Sequence, residues 1–270
     1  AASRAGRVLH SDEWAIEPII AQVWEDRCIS ALGKQCGICA KACPYGAITV
    51  EVGTAAEVVT AKCHGCGGCV GECPHNAITQ MHYTDAQVLS QIRALLADKP
   101  EEKIFAFRCH WCSYGGADLA GTSHFEYSAN ERGIRVMCSA RMDADFIYEA
   151  FRLGAGAVLY SGCHPQDCHY ITGQRVGAVR AERLLKTFEK MGMSPGRFRV
   201  EWISAAEGDK YARVINEMQK FIDVLGKDKL AEEITAMKPE MEKRARRMYE
   251  APGVNEASEY ADAMTLAMTV

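Results

Sequence analysis

Thirteen cysteines stand out in this 270-residue chain, because many of them are spaced as metal ligands are. Eight fall in two runs, over residues 28–43 and 63–73. The second run has the spacing C-x2-C-x2-C-x3-C-P, a bacterial pattern in which thiolates bind iron–sulfur clusters. Its members are Cys63, Cys66, Cys69 and Cys73, followed by Pro74.

The first run repeats the second at an offset of 30 residues, with Cys36 matching Cys66. This internal repeat is typical of a two-cluster ferredoxin, in which the fourth cysteine of each run binds the other cluster. Glycines between the cysteines allow backbone amides to approach the cluster sulfurs. One [4Fe–4S] cluster is therefore predicted to be bound by Cys43, Cys63, Cys66 and Cys69.

One ligand of the other cluster is displaced. The repeat places it at Gly33, and Cys28 lies five residues earlier, so we interpret residues 29–33 as an insertion that loops out. The second [4Fe–4S] cluster is then predicted to be bound by Cys28, Cys36, Cys39 and Cys73. A three-iron cluster here, or two zinc ions on the eight cysteines, are the alternatives. Zinc sites do not require the third close cysteine and the Cys-Pro ending.

The other five cysteines lie beside predicted strands. Cys109, Cys138 and Cys163 follow apolar segments at 103–108, 134–137 and 157–161, and Cys112 and Cys168 lie close behind. Since carboxyl ends of parallel strands meet at one sheet edge, where ligands bind in open α/β sheets, these thiols are expected to converge.

A four-thiolate [2Fe–2S] site with one spare cysteine is the preferred interpretation. We favour Cys109, Cys138, Cys163 and Cys168 as ligands and leave Cys112 as the uncertain member. A catalytic Cys109/Cys112 dithiol is the alternative. The neighbouring histidines are more often loop residues or hydrogen-bond donors than ligands; these are His110, His164 and His169.

The elements that position these residues follow from the apolar pattern. A fourth strand is predicted at 198–203, and helices are predicted at 143–153, 174–192 and 207–225, which indicates βαβ units and a parallel sheet. The fold class is an α+β two-cluster ferredoxin domain, an α/β domain with a parallel sheet, and a helical tail interrupted at Pro239. The predicted boundaries are 1–27 (N-terminal helix and linker), 28–82 (ferredoxin-like), 83–102 (linker helix), 103–225 (α/β) and 226–270 (tail).

Composition excludes several function classes. A net charge of −4 argues against non-specific nucleic-acid binding, and the sequence has no apolar stretch long enough to span a membrane. An odd cysteine count without a secretion signal indicates a reducing, cytoplasmic location rather than disulfides. The start, which lacks Met, is expected to reflect processing, a split gene or a fragment.

No catalytic arrangement is recognised, and helix capping or surface solvation explains the carboxylates of Asp143, Asp145, Asp167 and Glu207.

Several motifs resemble the delta subunit of methyl-viologen-reducing hydrogenase. They are CHWCSYGGADLAG, VMCSARMD, GAVLYSGCHPQDCHYITGQ and EWISAAEGDKYARVINE, within residues 103–225. The resemblance implies a [2Fe–2S] cluster and a role in passing electrons from a hydrogenase or formate dehydrogenase to heterodisulfide reductase.

The preceding part resembles the carboxyl-terminal ferredoxin domain of the heterodisulfide reductase A subunit, and AASRAG resembles the last helix of its flavin-binding domain. The chain lacks the glycine-rich FAD fingerprint, since GAGA at 154–157 does not match it. The resemblance therefore places FAD on a partner, an A-like subunit, with other heterodisulfide reductase subunits nearby, and implies that this flavin bifurcates electrons.

The predicted function is an electron-transfer subunit with no substrate site of its own. A thiol oxidoreductase, with the Cys109/Cys112 dithiol fed by the ferredoxin domain, is the alternative. A zinc-stabilised scaffold without redox chemistry is the third possibility.

Overall fold

The computed structural model describes residues 19–249, and its first part is a cysteine-rich segment of short elements. Two small antiparallel sheets, β1–β4 and β2–β3, frame this segment. The elements are β1 (Ala21–Val23), α1 (Ile38–Ala42), β2 (Ile48–Thr49), β3 (Glu57–Val58), α2 (Gly68–Gly71) and β4 (Ile78–Gln80). Each of the two short helices carries or closely precedes cysteines of the repeat.

The N-terminal segment contains a strand that was not predicted. Residues 1–18 of the predicted helix and linker lie outside the described residues, and residues 21–23, within the same predicted segment, form β1. Ala21 pairs with Gln80 and Val23 pairs with Ile78. The strand was missed because its partner is distant in sequence, and three residues carry too little periodicity to reveal a strand.

The second part contains a four-stranded parallel sheet in the order β6-β5-β7-β8. Its strands are β5 (Ile104–Cys109), β6 (Glu131–Val136), β7 (Ala157–Gly162) and β8 (Phe198–Trp202). Its helices are α3 (Asp85–Leu95), α4 (Ser113–Thr122), α5 (Ala144–Arg152), α6 (Gly173–Lys190), α7 (Gly208–Leu225) and α8 (Lys227–Tyr249). The strand order reverses at the β5–β7 pair, which is the switch point where open α/β sheets bind ligands.

Both faces of this sheet are covered, as a parallel sheet requires. Ile104 and Ala106 face a core built with α4 and α7, while Phe105 and Phe107 face a core built with α3, α5, α6 and α8. Helix α3, predicted as a linker helix, is therefore part of the α/β core.

The parallel sheet, its four strands and the three predicted helices are confirmed, with boundaries shifted by a few residues. Helix α4 was not predicted, because its three glycines lower helix propensity. One of them has a packing reason: a Cβ on Gly116 would lie 2.7 Å from the Ser204 carbonyl oxygen. At this position the close approach of α4 to the loop before α7 requires glycine, and this packing outweighs the low helix propensity of glycine.

The tail is helical from Lys227 to Tyr249, and the predicted interruption at Pro239 is absent, because the helix continues through it. Leu230, Met237 and Met241 bury one face of this helix against the α/β core. Tertiary packing therefore compensates for the backbone hydrogen bond that proline cannot make. Residues 250–270 of the predicted tail lie outside the described residues.

The two parts are joined through buried arginine side chains. Arg180 on α6 donates to the Gly71 carbonyl at 2.8 Å and to the Ala140 carbonyl at 2.7 Å, and also pairs with Glu72. These bonds attach helix α2, beside the repeat, to the segment that follows β6. Among residues 19–249, no helix has the length and apolar character needed to cross a membrane.

Candidate iron–sulfur sites

The first candidate site is a small cavity in the cysteine-rich part. Small and apolar residues line it together with Tyr45, His64 and four cysteines; the cysteines are Cys43, Cys63, Cys66 and Cys69. The sequence repeat assigned this same set to one cluster. An apolar cavity with four thiols fits the donor set of a [4Fe–4S] cluster. Binding by these residues stays a prediction.

The second candidate site is another small cavity, also lined by four cysteines. They are Cys28, Cys36, Cys39 and Cys73. The crossover that the repeat predicts is visible in the short helices: Cys39 in α1 lines the second cavity, while Cys43, just after α1, lines the first. The donor set again fits a cluster, and ligation again stays a prediction.

The structure places the displaced Cys28 at the second cavity and Gly33 away from it. Residues 29–33 form a turn in which the Gly33 amide donates to the Ser30 carbonyl at 3.0 Å. Ser30 is buried and anchors the turn, since its hydroxyl donates to the Glu51 carbonyl at 2.8 Å. Gly33 itself is exposed, with φ of 76°. The insertion therefore loops out and leaves Cys28 facing the cavity.

Backbone amides surround the Cys28 sulfur and lower the pKa of its thiol. Burial raises the pKa of this thiol, but backbone amides of Ala56, Ala31 and Ser30 donate to its sulfur and bring the pKa below the usual value. These hydrogen bonds stabilise negative charge on sulfur, which is the form that binds metal.

Other cysteines of the repeat are protonated when no metal is bound. Burial raises the pKa of Cys39 to about 11 and that of Cys66 to about 11. Cluster binding at these positions must therefore release protons. Backbone amides already donate to two of the ligand sulfurs, from Gly68 to Cys66 at 3.5 Å and from Ala77 to Cys73 at 3.3 Å.

The third candidate site lies at the carboxyl edge of the parallel sheet. Cys109 ends β5, Cys138 lies just beyond β6, and Cys163 directly follows β7. All three are buried, with 1%, 0% and 1% of their surface exposed. The sulfurs of Cys109 and Cys163 are 3.7 Å apart. The convergence that the strand pattern predicted is therefore present.

The five thiols of this site are not equivalent. Cys109 is hydrogen-bonded to Cys138 and Cys163, and Cys168 is hydrogen-bonded to the same two residues, so these four thiols form a closed ring of contacts. Cys112 is hydrogen-bonded to Cys163 alone among the cysteines. Within residues 19–249 no group of three or more His, Cys, Asp or Glu side chains is placed to hold a metal ion. The thiol ring does supply the donor type that an iron–sulfur cluster takes.

One negative charge is already favoured in this ring. Hydrogen bonds from Cys138 and Cys163 outweigh burial and lower the pKa of Cys109 to about 4. The pKa of Cys138 is raised well above its usual value, because it donates to Cys109 and Cys168 and is buried. The pKa of Cys112 is also raised, by its contact with Cys163 and by burial.

The histidines beside these cysteines have other partners. His164 Nε2 lies 2.6 Å from a Glu207 carboxylate oxygen, and the imidazole of His169 stacks on Trp111 with centroids 3.9 Å apart. His110 meets Trp111 edge-on at 4.7 Å.

The carboxylates assigned to capping behave differently from one another. Asp143 caps α5, accepting from the Asp145 amide at 3.1 Å, as predicted. Glu207 lies at the start of α7, as predicted, but its partly exposed carboxylate makes no capping hydrogen bond there. Its carboxylate instead accepts from the Ser204 amide at 2.7 Å and contacts His164, and these bonds lower its pKa to about 2.

An apolar cluster connects the first and third sites. It contains Cys66 from the first cavity, Cys138 and Cys168 from the thiol ring, and the rings of Tyr45 and Tyr170. Burial raises the pKa of both tyrosines to about 12, so both are neutral. Within the described residues, this cluster therefore joins the thiol ring to the first cavity.

Sequence reasoning missed three residues that shape these sites. A Cβ on Gly173 would lie 2.2 Å from the Cys138 sulfur, so only glycine leaves room for the thiol ring. Arg141 and Arg180 lie at the junction of the two parts. Arg141 stands inside VMCSARMD, but a charged residue beside a cysteine gives no signal of burial.

The chain is similar to two iron–sulfur families. Residues 104–226 match the family model of the methyl-viologen-reducing hydrogenase delta subunit, and residues 34–84 match that of the LdpA Fe-S cluster-binding domain. The D iron-sulfur subunit of the F420-non-reducing hydrogenase vhc of Methanococcus voltae is 42% identical over 131 residues, which are 48% of this chain and 91% of that protein. Its counterpart from Archaeoglobus profundus is 39% identical over 131 residues, 48% of this chain and 96% of that protein.

A longer match extends over both parts. The relative is the A chain of the ferredoxin/F(420)H(2)-dependent CoB-CoM heterodisulfide reductase of Methanosarcina acetivorans, which is 40% identical over 226 residues, or 83% of this chain. The match spans 28% of that relative's own length. The cysteine-rich part and the α/β part therefore occur together in a relative.

Proposed function

Because the chain belongs, through residues 104–226, to the methyl-viologen-reducing hydrogenase delta-subunit family, we propose that it is an electron-transfer subunit with three iron–sulfur clusters. Two [4Fe–4S] clusters would occupy the cavities in residues 28–82, and one [2Fe–2S] cluster would occupy the thiol ring. When bound, each cluster supplies a one-electron redox centre. The protein supplies the thiolates, the amide donors and the apolar surroundings.

One observation carries this proposal: the apolar cluster around Tyr45 and Tyr170 adjoins both the thiol ring and the first cavity. The second cavity follows directly, since α1 places cysteines at both cavities. The three thiol-lined sites therefore follow one another, each adjoining the next. This arrangement supports an electron relay rather than three separate structural metal sites.

Electrons are proposed to enter at the α/β part and leave through the cysteine-rich part. Trp111, beside Cys112, is 43% exposed, so the thiol ring lies close to the protein surface there. The names of the relatives support a hydrogenase as donor and a heterodisulfide reductase-like complex as acceptor. A formate dehydrogenase is the other proposed donor, and FAD on an A-like partner subunit, where electrons bifurcate, is the proposed acceptor. Flow in the opposite direction uses the same residues.

The alternative of a Cys109/Cys112 dithiol receives less support from the geometry. The Cys109 side chain is 1% exposed, which leaves no access for a substrate disulfide. Its thiol contacts are with Cys138 and Cys163. A catalytic nucleophile is instead expected to be partly exposed.

Iron and acid-labile sulfide analysis of anaerobically purified protein tests the proposal. We expect about ten irons per chain, from two four-iron clusters and one two-iron cluster. About eight irons with two titratable thiols would favour the dithiol enzyme. A colourless protein that contains zinc and gives no EPR signal after reduction would contradict both redox functions.

Co-purification tests the partners. Affinity capture of the tagged full chain from its native cells should recover a flavoprotein together with a hydrogenase or a formate dehydrogenase. Recovery of the iron-loaded chain alone, under the same anaerobic conditions, would contradict the proposed complex. The cytoplasmic location expected from the cysteine spacing stays a prediction.

A further inference from the structure

Arg141 is a fully buried arginine directly behind the first cavity. Its side chain has 0% exposure and lies over Gly67, the residue that follows Cys66 and lines that cavity. A Cβ on Gly67 would be 2.6 Å from Arg141 Cδ. The Gly67 φ of 76° adds a second reason for glycine here. The arginine is therefore separated from the cavity by a single layer of backbone.

The guanidinium is only partly satisfied. Its Nη2 bonds to an Asp85 carboxylate oxygen at 2.5 Å and to the Tyr83 carbonyl at 2.9 Å, and its Cζ lies over the Phe146 ring, 4.8 Å from the centroid. Its Nε and Nη1 are buried and have no hydrogen-bond partner among residues 19–249. Nearly all native buried donors are paired, so two unpaired ones in a single cation call for an explanation.

Two carboxylates lie near Arg141: Asp85 bonds to it, and the buried Asp143 interacts with both Arg141 and Arg180. The Asp85 side chain is 19% exposed while that of Arg141 is 0% exposed, so water screens the anion more than the cation. The Gln80 amide oxygen, which lies 2.6 Å from the same Gly67 Cβ position, is neutral and leaves the charge in place. Arg141 is the charged side chain packed on Gly67, so its positive charge contributes directly to the potential at the first cavity.

The second cavity has different surroundings. Neither cavity has a Lys or Arg among the described residues that line it, and the difference lies behind the lining. Arg141 packs on Gly67 of the first cavity. The buried arginine beside Cys73 of the second cavity, Arg180, is instead paired with Glu72. Reduction adds one negative charge to a cluster, so a nearby buried cation stabilises the reduced form and raises the reduction potential. The two cavities should therefore differ in potential.

We propose that Arg141 raises the reduction potential of the cluster bound by Cys43, Cys63, Cys66 and Cys69, and so makes it the more easily reduced of the two [4Fe–4S] clusters. Arg141 acts on the cluster through Gly67 and is a positioning and tuning residue rather than a ligand. This inference rests on the proposed function, which supplies the clusters.

An EPR-monitored redox titration of the full chain tests the proposal. In Arg141→Met, we expect one of the two [4Fe–4S] midpoint potentials to fall, by at least a tenfold change in the reduction equilibrium, or 59 mV for a one-electron couple. The other midpoint should stay unchanged. Arg141→Lys keeps the charge and should retain most of the wild-type reduction potential. If Arg141 had only a structural role, the positive charge alone would not preserve the potential.

Asp85→Asn provides a second test, in which the midpoint potential is expected to change in the opposite direction. It is needed in case Arg141→Met loses its cluster. Removing the partly exposed anion should raise the same midpoint potential. Arg197→Met is the matched control, because Arg197 is also buried at 1% exposure but bonds to Glu233 and to the Gly156 carbonyl, before β7 and away from the cysteines. It should lower stability without moving either potential.

Two outcomes would overturn the proposal. One is unchanged midpoints in both Arg141→Met and Asp85→Asn, and the other is an equal shift of both [4Fe–4S] midpoints. Iron analysis of each variant separates these results from failure of the proposed function. If the wild-type chain holds no [4Fe–4S] clusters, the proposed function fails; if it holds both and the potentials do not respond, only the role of Arg141 fails.

Discussion

The sulfur of Cys109 lies 3.7 Å from the sulfur of Cys163, at the carboxyl ends of adjacent parallel strands. These strands meet at the point where the strand order reverses. The sheet topology therefore assembles a thiol site from residues 54 positions apart. Cys138 and Cys168 complete a ring around this pair, and Cys112 stands outside it.

This ring predicts unequal effects of two serine substitutions. Cys138→Ser should abolish the [2Fe–2S] EPR signal and remove about two irons per chain. Cys112→Ser should retain both the signal and the iron, because the thiol hydrogen bond of Cys112 is to Cys163 and Cys112 lies outside the closed ring. Loss of the signal in Cys112→Ser with its retention in Cys138→Ser would contradict the ligand assignment.

The displaced ligand gives a second prediction. Cys28→Ala should damage one [4Fe–4S] cluster and spare the other, as measured by iron content and EPR of the reduced protein. Cys43→Ala is the matched control and should damage the other cluster, since these cysteines line different cavities.

A double variant sharpens this test. Adding Gly33→Cys to Cys28→Ala should not restore the cluster, because Gly33 is exposed and does not line the second cavity. If both [4Fe–4S] clusters survive intact in Cys28→Ala, then Cys28 is not a ligand.

Gly173 allows the thiol ring to be perturbed without removing a ligand. In Gly173→Ala the new methyl group would lie 2.2 Å from the Cys138 sulfur and 3.3 Å from the Cys168 sulfur. We expect loss of the [2Fe–2S] signal with both [4Fe–4S] signals retained. Gly121→Ala is the matched control, since a Cβ there meets nothing within 4 Å and alanine favours the helix by about 0.5–1 kcal/mol. A normal [2Fe–2S] signal in Gly173→Ala would show that the ring can expand.

The buried pair of Arg197 and Glu233 predicts a pH-dependent contribution to stability. Burial raises the pKa of Glu233, but hydrogen bonds from Ser194 and Arg197 outweigh it and leave the pKa below the usual 4.5. A lowered folded-state pKa means that charged Glu233 stabilises the fold above pH 4.5 and that this contribution is lost as the pH falls through the lowered value.

The measurement compares the free energy of unfolding of the wild type and Glu233→Gln. Removing one partner of a buried pair typically costs about 3–5 kcal/mol, so a loss of this order is expected at pH 7. The difference should shrink toward acid pH. Glu182→Gln is the control: Glu182 pairs with Lys186 on the surface, where both side chains are mostly exposed, and little change is expected. An unchanged difference at acid pH would contradict the lowered pKa of Glu233.

The sequence determined much of the fold and the composition of the candidate sites. Cysteine spacing follows from the short reach of a turn around a cluster, and strand alternation follows from the two-residue period of a strand, so both are local properties. For this reason the sequence predicted the parallel sheet and its strand-end cysteines, and grouped the repeat cysteines into the sets that line the two cavities. Even the displaced Cys28 could be identified, because the repeat defined the position from which it had moved.

Only the tertiary structure decided features that depend on residues far apart in the chain. Strand β1 exists through its pairing with β4, and glycine-rich α4 exists through packing. The burial of Arg141 behind Gly67 and the clearance at Gly173 are likewise long-range contacts. Such contacts have no period and no local spacing, so they emerge only when the sheet and the repeat are brought together in space.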